Sequence, residues 1–523
     1  VERIFTLSNE TRANYLFKFG ADHRLDATLG MRYLNTKGED DWGKGYNSAS
    51  DNFTSINYGL NELRQAGGSI GEWNWLAFYA NLAYSWKDRY FLTGTFSADA
   101  SSRYGDDIGQ FQSFPAISGA WLISSEPFMR NIDKVDLLKL RAGYSTAGND
   151  DIGNFTARRY YTSQNLMGNY GLVRGNLVNT ALKPERVGKF NVGVDASFFN
   201  ERLSLSADFY RTNVKDMIAY SSITPISGFS TYVDNNGEMQ NTGFDFSLSG
   251  RLLNLRELKW DAGLTASHYK NKVTKLNGDR YLTDIAGGTI LTEVGKPLGV
   301  FYGYKTNGVY ATSAEAATDG LYHRSGLQDL AFGAGDVRFV NLNAADKYIN
   351  ESDRTVIGDP NPDVFGGLFT SVSWKQFKLS ARFTYSVGND VYNYTRSTLE
   401  SMNGLANQTQ VVLNRWTKEG QITNVPRVVY GDPMQNSRFS DRWIEDGSYL
   451  KFKNLTLSYD VPMKKGLIRG LQVYAVAENL GTLTSYKGYD PEFSVTASPL
   501  GYGIDAFVTP QTRTFYVGLI LGL

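Results

Sequence analysis

Cysteine is absent from the 523 residues, so no disulfide scaffold and no cysteine metal cluster can be built. No apolar run approaches the roughly 18 residues of a membrane helix, which excludes a helical membrane protein. A membrane barrel is not excluded, because its strands are only half apolar. Net charge is also missing: 53 basic residues cancel 53 acidic ones, against the positive balance a nucleic-acid binder needs to neutralise phosphates. Histidines number three, His23, His268 and His323, set far apart. There is no H-E-x-x-H, G-x-S-x-G, P-loop or dinucleotide fingerprint, so no constellation points to catalysis and an enzyme is not expected. The opening "VERIFTLSNE" has no basic segment followed by an apolar one. The expectation is that the mature chain starts here or that this is a piece of something longer. No Pro/Ser/Gly-rich linker or charge block divides the chain.

What is present is alternation. Aromatics reach 14%, with 33 tyrosines, a residue suited to membrane interfaces. In "FYANLAYSWKDRYFLTGTFSADASSRYG", Phe78, Ala80, Leu82, Tyr84 and Trp86 share one parity. After a turn at Lys87-Asp88, Tyr90, Leu92, Gly94, Phe96, Ala98 and Ala100 share the next. Period two with one greasy face is the mark of a strand, and the tight connection makes a hairpin. The pattern recurs in "KFNVGVDASFFNERLSLSADFYR", in "GGLFTSVSWKQFKLSARFTYSV" and in the closing "RTFYVGLILGL", where Phe515, Val517, Leu519, Leu521 and Leu523 are in register. About fifteen strands of roughly 9–13 residues emerge, long enough to cross a bilayer at a tilt and longer than most strands of soluble sandwiches.

Connections near 22, 87, 130, 200, 255, 375 and 465 read as short. Those at 35–72, 101–113, 147–187, 213–239, 271–363, 388–448 and 480–512 read as long. Strict short–long alternation predicts a transmembrane antiparallel β-barrel with short periplasmic turns and long extracellular loops. A large soluble all-β protein would alternate too, but with shorter strands. If the last strand ends at the periplasmic rim, the first, near Ala13 to Gly20, runs downward and Val1 to Thr11 starts in an external loop. About fifteen strands cannot close a single-chain bacterial barrel, and an open edge in lipid leaves backbone groups unpaired. Earlier strands are therefore expected elsewhere in a longer polypeptide.

Several segments are similar to one family. "YSWKDRYFLTGTFSADASSRYG", "FPAISGAWLISSEPFM", "LKPERVGKFNVGVDASFFNERLSLSADFYRTNVKDMI", "MQNTGFDFSLSG", "GDVRFVNLN", "DRTVIGDPNPDVFGG", "SRFSDRWIEDGSYLKFKNLTLSYDVP" and "YKGYDPE" resemble, in order, the SusC/RagA group of TonB-dependent transporters of Bacteroidetes. The resemblance implies a plugged barrel of roughly 22 strands, of which this chain would be the C-terminal part. Plug, TonB box and about seven strands would be missing from it. It further implies energised import of an oligosaccharide or oligopeptide across the bacterial outer membrane. TonB would act through the missing part, and a SusD-type surface lipoprotein would serve as lid. A siderophore or cobalamin receptor, and a non-transport barrel displaying adhesive loops, are the alternatives.

Site residues are expected in the loops. Trp42, Tyr46, Tyr160, Tyr161, Tyr302, Tyr304 and Tyr322 are loop aromatics on which a sugar or peptide could stack, although tyrosine and tryptophan also form interfacial girdles. Arg438, Asp441, Arg442, Trp443, Glu445 and Asp446 in "SRFSDRWIEDG" read as a loop-to-wall anchor rather than a ligand site. "NLNAADKYINESDR" departs from the family's acidic, calcium-like loop: Asn341 stands where the first acid is usual. Asn343, Asp346, Glu351 and Asp353 remain as oxygen ligands for calcium, with a plain polar loop as the favoured reading; no other cofactor is expected.

Overall fold

The computed structural model describes residues 1–53, 55–60, 63–229, 231–463, 469–493 and 498–522. Fifteen strands form one antiparallel sheet in which every strand neighbours the next in sequence. They are β1 (Glu2–Phe19), β2 (His23–Lys44), β3 (Gln65–Trp86), β4 (Tyr90–Ser101), β5 (Gln112–Leu122), β6 (Val135–Asn149), β7 (Glu185–Phe198) and β8 (Leu203–Lys215). Then follow β9 (Glu238–Asn254), β10 (Leu258–Lys275), β11 (Val364–Trp374), β12 (Phe377–Val387), β13 (Tyr449–Val461), β14 (Gly470–Thr484) and β15 (Thr514–Gly522). Connections alternate short and long as expected, from 87–89 and 375–376 at one extreme to 276–363 at the other, except that 123–134, expected short, is slightly longer than 102–111, expected long. The turn expected near 465 and the register of Leu523 lie outside the described residues. At the 87–89 turn Lys87 and Asp88 take left-handed φ values of 53° and 51°, the hand that matches the twist of hairpin strands.

Contacts divide the chain into two compact units. The first comprises Val1–Asp133, Leu137–Val194 and Tyr210–Gln240; the second comprises Lys134–Asp136, Asp195–Phe209 and Asn241–Leu523.

In the first unit the greasy parity of β3 and β4 is open to the surroundings: Phe78 is 47% exposed, Leu82 50%, Leu92 51% and Phe96 49%. Leaving four half-exposed side chains of this kind in water forgoes about 3–6 kcal/mol, a large part of the net stability of a whole domain. That face needs an apolar solvent, and a sheet of this length supplied with one is a membrane wall. The opposite parity is polar and cross-linked. Asn81 Nδ2 donates to Thr95 Oγ1 at 2.7 Å, and Glu10 accepts from Arg32 Nη2 at 2.8 Å and from Tyr79 Oη at 2.8 Å. Gly30 permits the last bond, since a Cβ there would lie 2.2 Å from the Tyr79 ring. The second unit repeats the division, with Phe377 and Leu379 of β12 exposed on one face and Ser371 and Ser380 hydroxyls 3.1 Å apart on the other.

At the short-turn end aromatics line up across strands. Trp86, Tyr90 and Trp121 stack at 5.1 and 6.3 Å in the first unit. Trp374, Phe377 and Tyr459 follow at 6.4 and 4.6 Å in the second. Glu126, in the turn after β5, accepts from Tyr90 Oη, Trp121 Nε1 and Arg89 Nη1 at 2.6, 3.1 and 3.2 Å. The Tyr90 bond foremost holds its carboxyl below the usual range. On β3 the greasy parity runs from Trp86 to Leu76 and stops at Asn74, which accepts from Asn35 and Tyr33. Ten residue-to-residue steps at a tilt near 40° span about 25 Å, the height of a barrel's apolar band.

The strands do not stop where the band stops, and this corrects two expectations. β2 and β3 stay paired out to Lys44 and Gln65, so the connection expected at 35–72 shrinks to 45–64. Val1–Thr11, expected in a loop, is strand paired with β2 from Glu2 onward. Hydrophobic alternation marks only the lipid-facing stretch; backbone pairing continues beyond it on polar residues.

The long connections are folded. In the second unit 276–363 holds a four-stranded sheet (Arg280–Ile285, Gly288–Glu293, Val300–Tyr304, Arg354–Gly358) and helix α1 (Ser313–Asp319), and 388–448 holds helix α2 (Tyr394–Leu399). One buried cluster gathers Tyr310, Leu321, Phe332, Val337, Phe339 and Met434. A second gathers Ile290, Phe301, Tyr392, Trp443 and Ile504. In the first unit Ile152, Ala157 and Leu182 are packed by Ile218 and Val233. Among the described residues no helix is long and apolar enough to cross a membrane, which says nothing against a barrel.

Candidate functional site

Trp443 occupies the centre of "SRFSDRWIEDG" and is 1% exposed. Its Nε1–H donates to the Ser437 and Arg438 carbonyls at 3.3 and 3.2 Å, and two guanidinium groups lie over its ring, Arg442 at 4.9 Å and Arg396 at 5.3 Å. Arg396 reaches the segment from α2, pairing with Glu445 and, at 3.1 Å, with Glu400. Arg442 donates to the Asn436 and Asn424 carbonyls; burial, and then the neighbouring Arg396 cation, push its pKa down to about 10. Asp441 accepts from the Thr306 amide and hydroxyl at 3.1 and 2.6 Å. Glu445 accepts from the Lys487 amide, and Asp446 from the Ser448 amide and Ser485 hydroxyl. The Ser448 bonds hold Asp446 below the usual carboxylate range. Arg438 donates to the Gln435 and Met434 carbonyls and lies 5.0 Å over Tyr304 and 4.6 Å over Phe339. These six residues thus join the 276–363, 388–448 and 485–513 connections, and their polar atoms point at protein.

The seven aromatics are distributed over both units. Trp42, Tyr46, Tyr160 and Tyr161 belong to the first unit and are all more than a third exposed. Trp42 carries Lys44 Nζ over its ring at 5.6 Å, and Tyr160 lies 6.5 Å from Phe155. In the second unit Tyr322 is open beside Tyr348, at 6.1 Å. Tyr304 is half-buried between Phe339 and Arg438, and its phenol is pushed up by burial. Tyr302 corrects the expectation. It is 7% exposed, with Arg280 and Arg354 over its ring at 5.5 and 5.1 Å, so a ligand finds no open face on it.

In the 341–354 loop the carboxylates are turned on the loop's own amides. Asp353, fully buried, accepts from the Leu342, Asn343 and Asn350 amides at 2.8, 3.1 and 2.8 Å. Asp346 accepts from the Tyr348 amide and Asn343 Nδ2, each within 2.9 Å. Glu351 pairs with Arg354 at 2.5 Å. Calcium would have to displace these bonds. Millimolar calcium is therefore expected to leave the thermal midpoint unchanged; an upward shift would assign the loop to the metal.

Two arrangements escaped the sequence reading. Asp336, fully buried, takes both Arg427 donors at 2.8 and 2.9 Å and Asn436 Nδ2 at 3.0 Å. Lys451, 2% exposed on β13, meets Asp490 at 2.6 Å, Glu492 at 3.0 Å and Gln511 at 3.2 Å. Lys453 meets Glu492 at 2.6 Å. "GDVRFVNLN" and "YKGYDPE" contain the acids, but nothing in a single sequence signals which cation each one meets.

Residues 3–480 match the family described as TonB dependent receptor-like, beta-barrel. The chain belongs to that family. TonB-dependent receptor P3 of Formosa agariphila is 29% identical over 535 residues, covering 98% of this chain and 52% of the relative. TonB-dependent receptor SusC of Bacteroides thetaiotaomicron is 27% identical over 480 residues, covering 85% and 43%. The solved structure of the RagAB peptide transporter superposes with a TM-score of 0.81 at 27% identity, covering 99% of this chain and 56% of that one. The chain spans about half the length of the curated relatives it matches. The family's β-barrel is the fold that the open apolar face calls for.

Proposed function

We propose that this chain is the later part of an outer-membrane barrel that imports a nutrient, an oligosaccharide or oligopeptide, by a TonB-dependent mechanism. About fifteen of roughly 22 strands lie here; the rest of the polypeptide carries the remaining strands, the plug and the TonB box. A SusD-like lipoprotein covers the loops. The observation that supports this reading most is the fold match to the RagAB peptide transporter over 99% of the chain. The folded loops favour it over a barrel that merely displays adhesive segments, since ion pairs and buried clusters hold them in one arrangement. Exposed Trp42, Tyr46, Tyr161 and Tyr322 are the ring contacts offered to a ligand, and the 438–446 segment sets the geometry beneath the loops.

The test is uptake of labelled nutrient by whole cells. Deletion of the gene, loss of TonB and a protonophore should each abolish it, and a surface lipoprotein should co-purify with the full-length protein. Uptake that survives loss of TonB would defeat the proposal.

A further inference from the structure

Between α2 and the segment that follows it, the second unit holds a cleft whose rim includes Tyr394, Ser401, Asn403, Asn407 and Gln408 and whose floor includes Phe439. Among the described residues no Asp, Glu, Lys or Arg lines it, in a chain that is 20% charged. The charges closest in sequence have partners of their own: Arg438, between Ser437 and Phe439, and Arg442, beside Trp443, donate to backbone carbonyls. Arg396 of α2 and Glu400 just after it pair with each other, and Arg396 also pairs with Glu445. The floor is fixed by edge-to-face packing of Phe439 on Tyr392 at 4.7 Å and of Tyr394 on Phe507 at 5.6 Å. The rim keeps unused hydrogen-bonding capacity: the exposed amides of Asn407 and Gln408 have no partner among the described residues, nor does the Tyr394 hydroxyl. Asn403 accepts from Ser401, which leaves its amide N–H groups available.

Rings, amides and hydroxyls without a counter-charge suit a ligand that is rich in hydroxyls, has an apolar ring face and carries no charge. We infer that this cleft is a binding subsite for an uncharged oligosaccharide, with charged glycans and free peptides disfavoured because desolvating an ion there has no compensation. The inference rests on the import reading and adds to it a place and a charge rule.

The full-length protein in detergent would be titrated calorimetrically with a panel of neutral α- and β-linked hexose oligosaccharides, uronic-acid oligosaccharides and tripeptides. A neutral glycan is expected to bind, and both N407A/Q408A and Tyr394→Ala to weaken it about tenfold. The amides are exposed, so the double variant tests contact rather than folding. Neutral-glycan binding that ignores both variants, preferential binding of the charged probes, or no binding by any neutral glycan would overturn the inference. If uptake remains TonB-dependent while the variants change nothing, the cleft fails and the importer stands. If the variants abolish binding but uptake needs no TonB, the reverse holds.

Discussion

Trp443→Ala is expected to open the loop layer while leaving the sheet intact. Removing a buried tryptophan costs about 3–5 kcal/mol through lost contacts and the cavity left behind. Here the ring also lies under two guanidinium groups, each such contact worth roughly 0.5–2 kcal/mol. With the indole gone, Arg396 and Arg442 lose the surface that holds them side by side, and only Glu445, Glu400 and backbone carbonyls remain to hold two partly buried cations. Unfolding of the sheet is the wrong readout, because fifteen paired strands do not depend on this residue. Hydrogen exchange reports local opening instead. Amides of 301–304, 389–393 and 438–446, which meet in the same cluster and its pairings, should exchange faster by about two to three orders of magnitude. Amides of β11 and β12 should not change. Trp443→Phe should recover part of the protection, lacking only the bonds to the Ser437 and Arg438 carbonyls. Uniform protection in Trp443→Ala would mean that the segment is held from elsewhere.

What the sequence made legible divides along one physical line. Period-two alternation is imposed by a solvent boundary, so Phe78 to Trp86 and Phe377 to Tyr385 announce their strands and their turns. Where the boundary ends, the signal ends. Asn35 to Lys44 pair as regularly as the residues below them, but with water on both faces no side-chain type is required, and the stretch reads as loop. The 438–446 segment was legible as a dense set of Arg, Trp and carboxylates, a composition that needs partners wherever it is buried. The partners were not legible. Thr306, Lys487 and Arg396 lie 135, 42 and 46 to 49 positions away from the groups they bond, and only folded loops bring them in. Tyr302 misled for the same reason: a tyrosine in a long connection looks exposed until that connection proves to have a core. Asn407 and Gln408 fall in a stretch with no periodicity, and their value depends on neighbouring charges that find partners elsewhere.

Lys451 supplies the second large effect. Its ammonium is buried against the wall strand β13, and Asp490 and Glu492 from the last long connection neutralise it. Replacing both acids, Asp490→Asn with Glu492→Gln, keeps shape but leaves that cation with amides alone. Removing the partner of a buried charge costs about 3–5 kcal/mol, more than the interaction it interrupts, because the remaining ion has no water to return to. The 485–493 and 509–513 segments should therefore detach from β13, seen as accelerated exchange of their amides, with β13 and β14 themselves protected. Lys451→Met is expected to be milder. It removes the buried ion altogether, while the acids it strands are partly exposed, at 13% and 28%, and Glu492 keeps Lys453. The asymmetry is the point of the comparison. A simple surface ion pair would give two small and equal losses, whereas a charge committed to the wall makes the acids obligatory. Equal, small effects from the two variants would show that this connection is held by packing of Tyr486 and Ile504 rather than by the lysine.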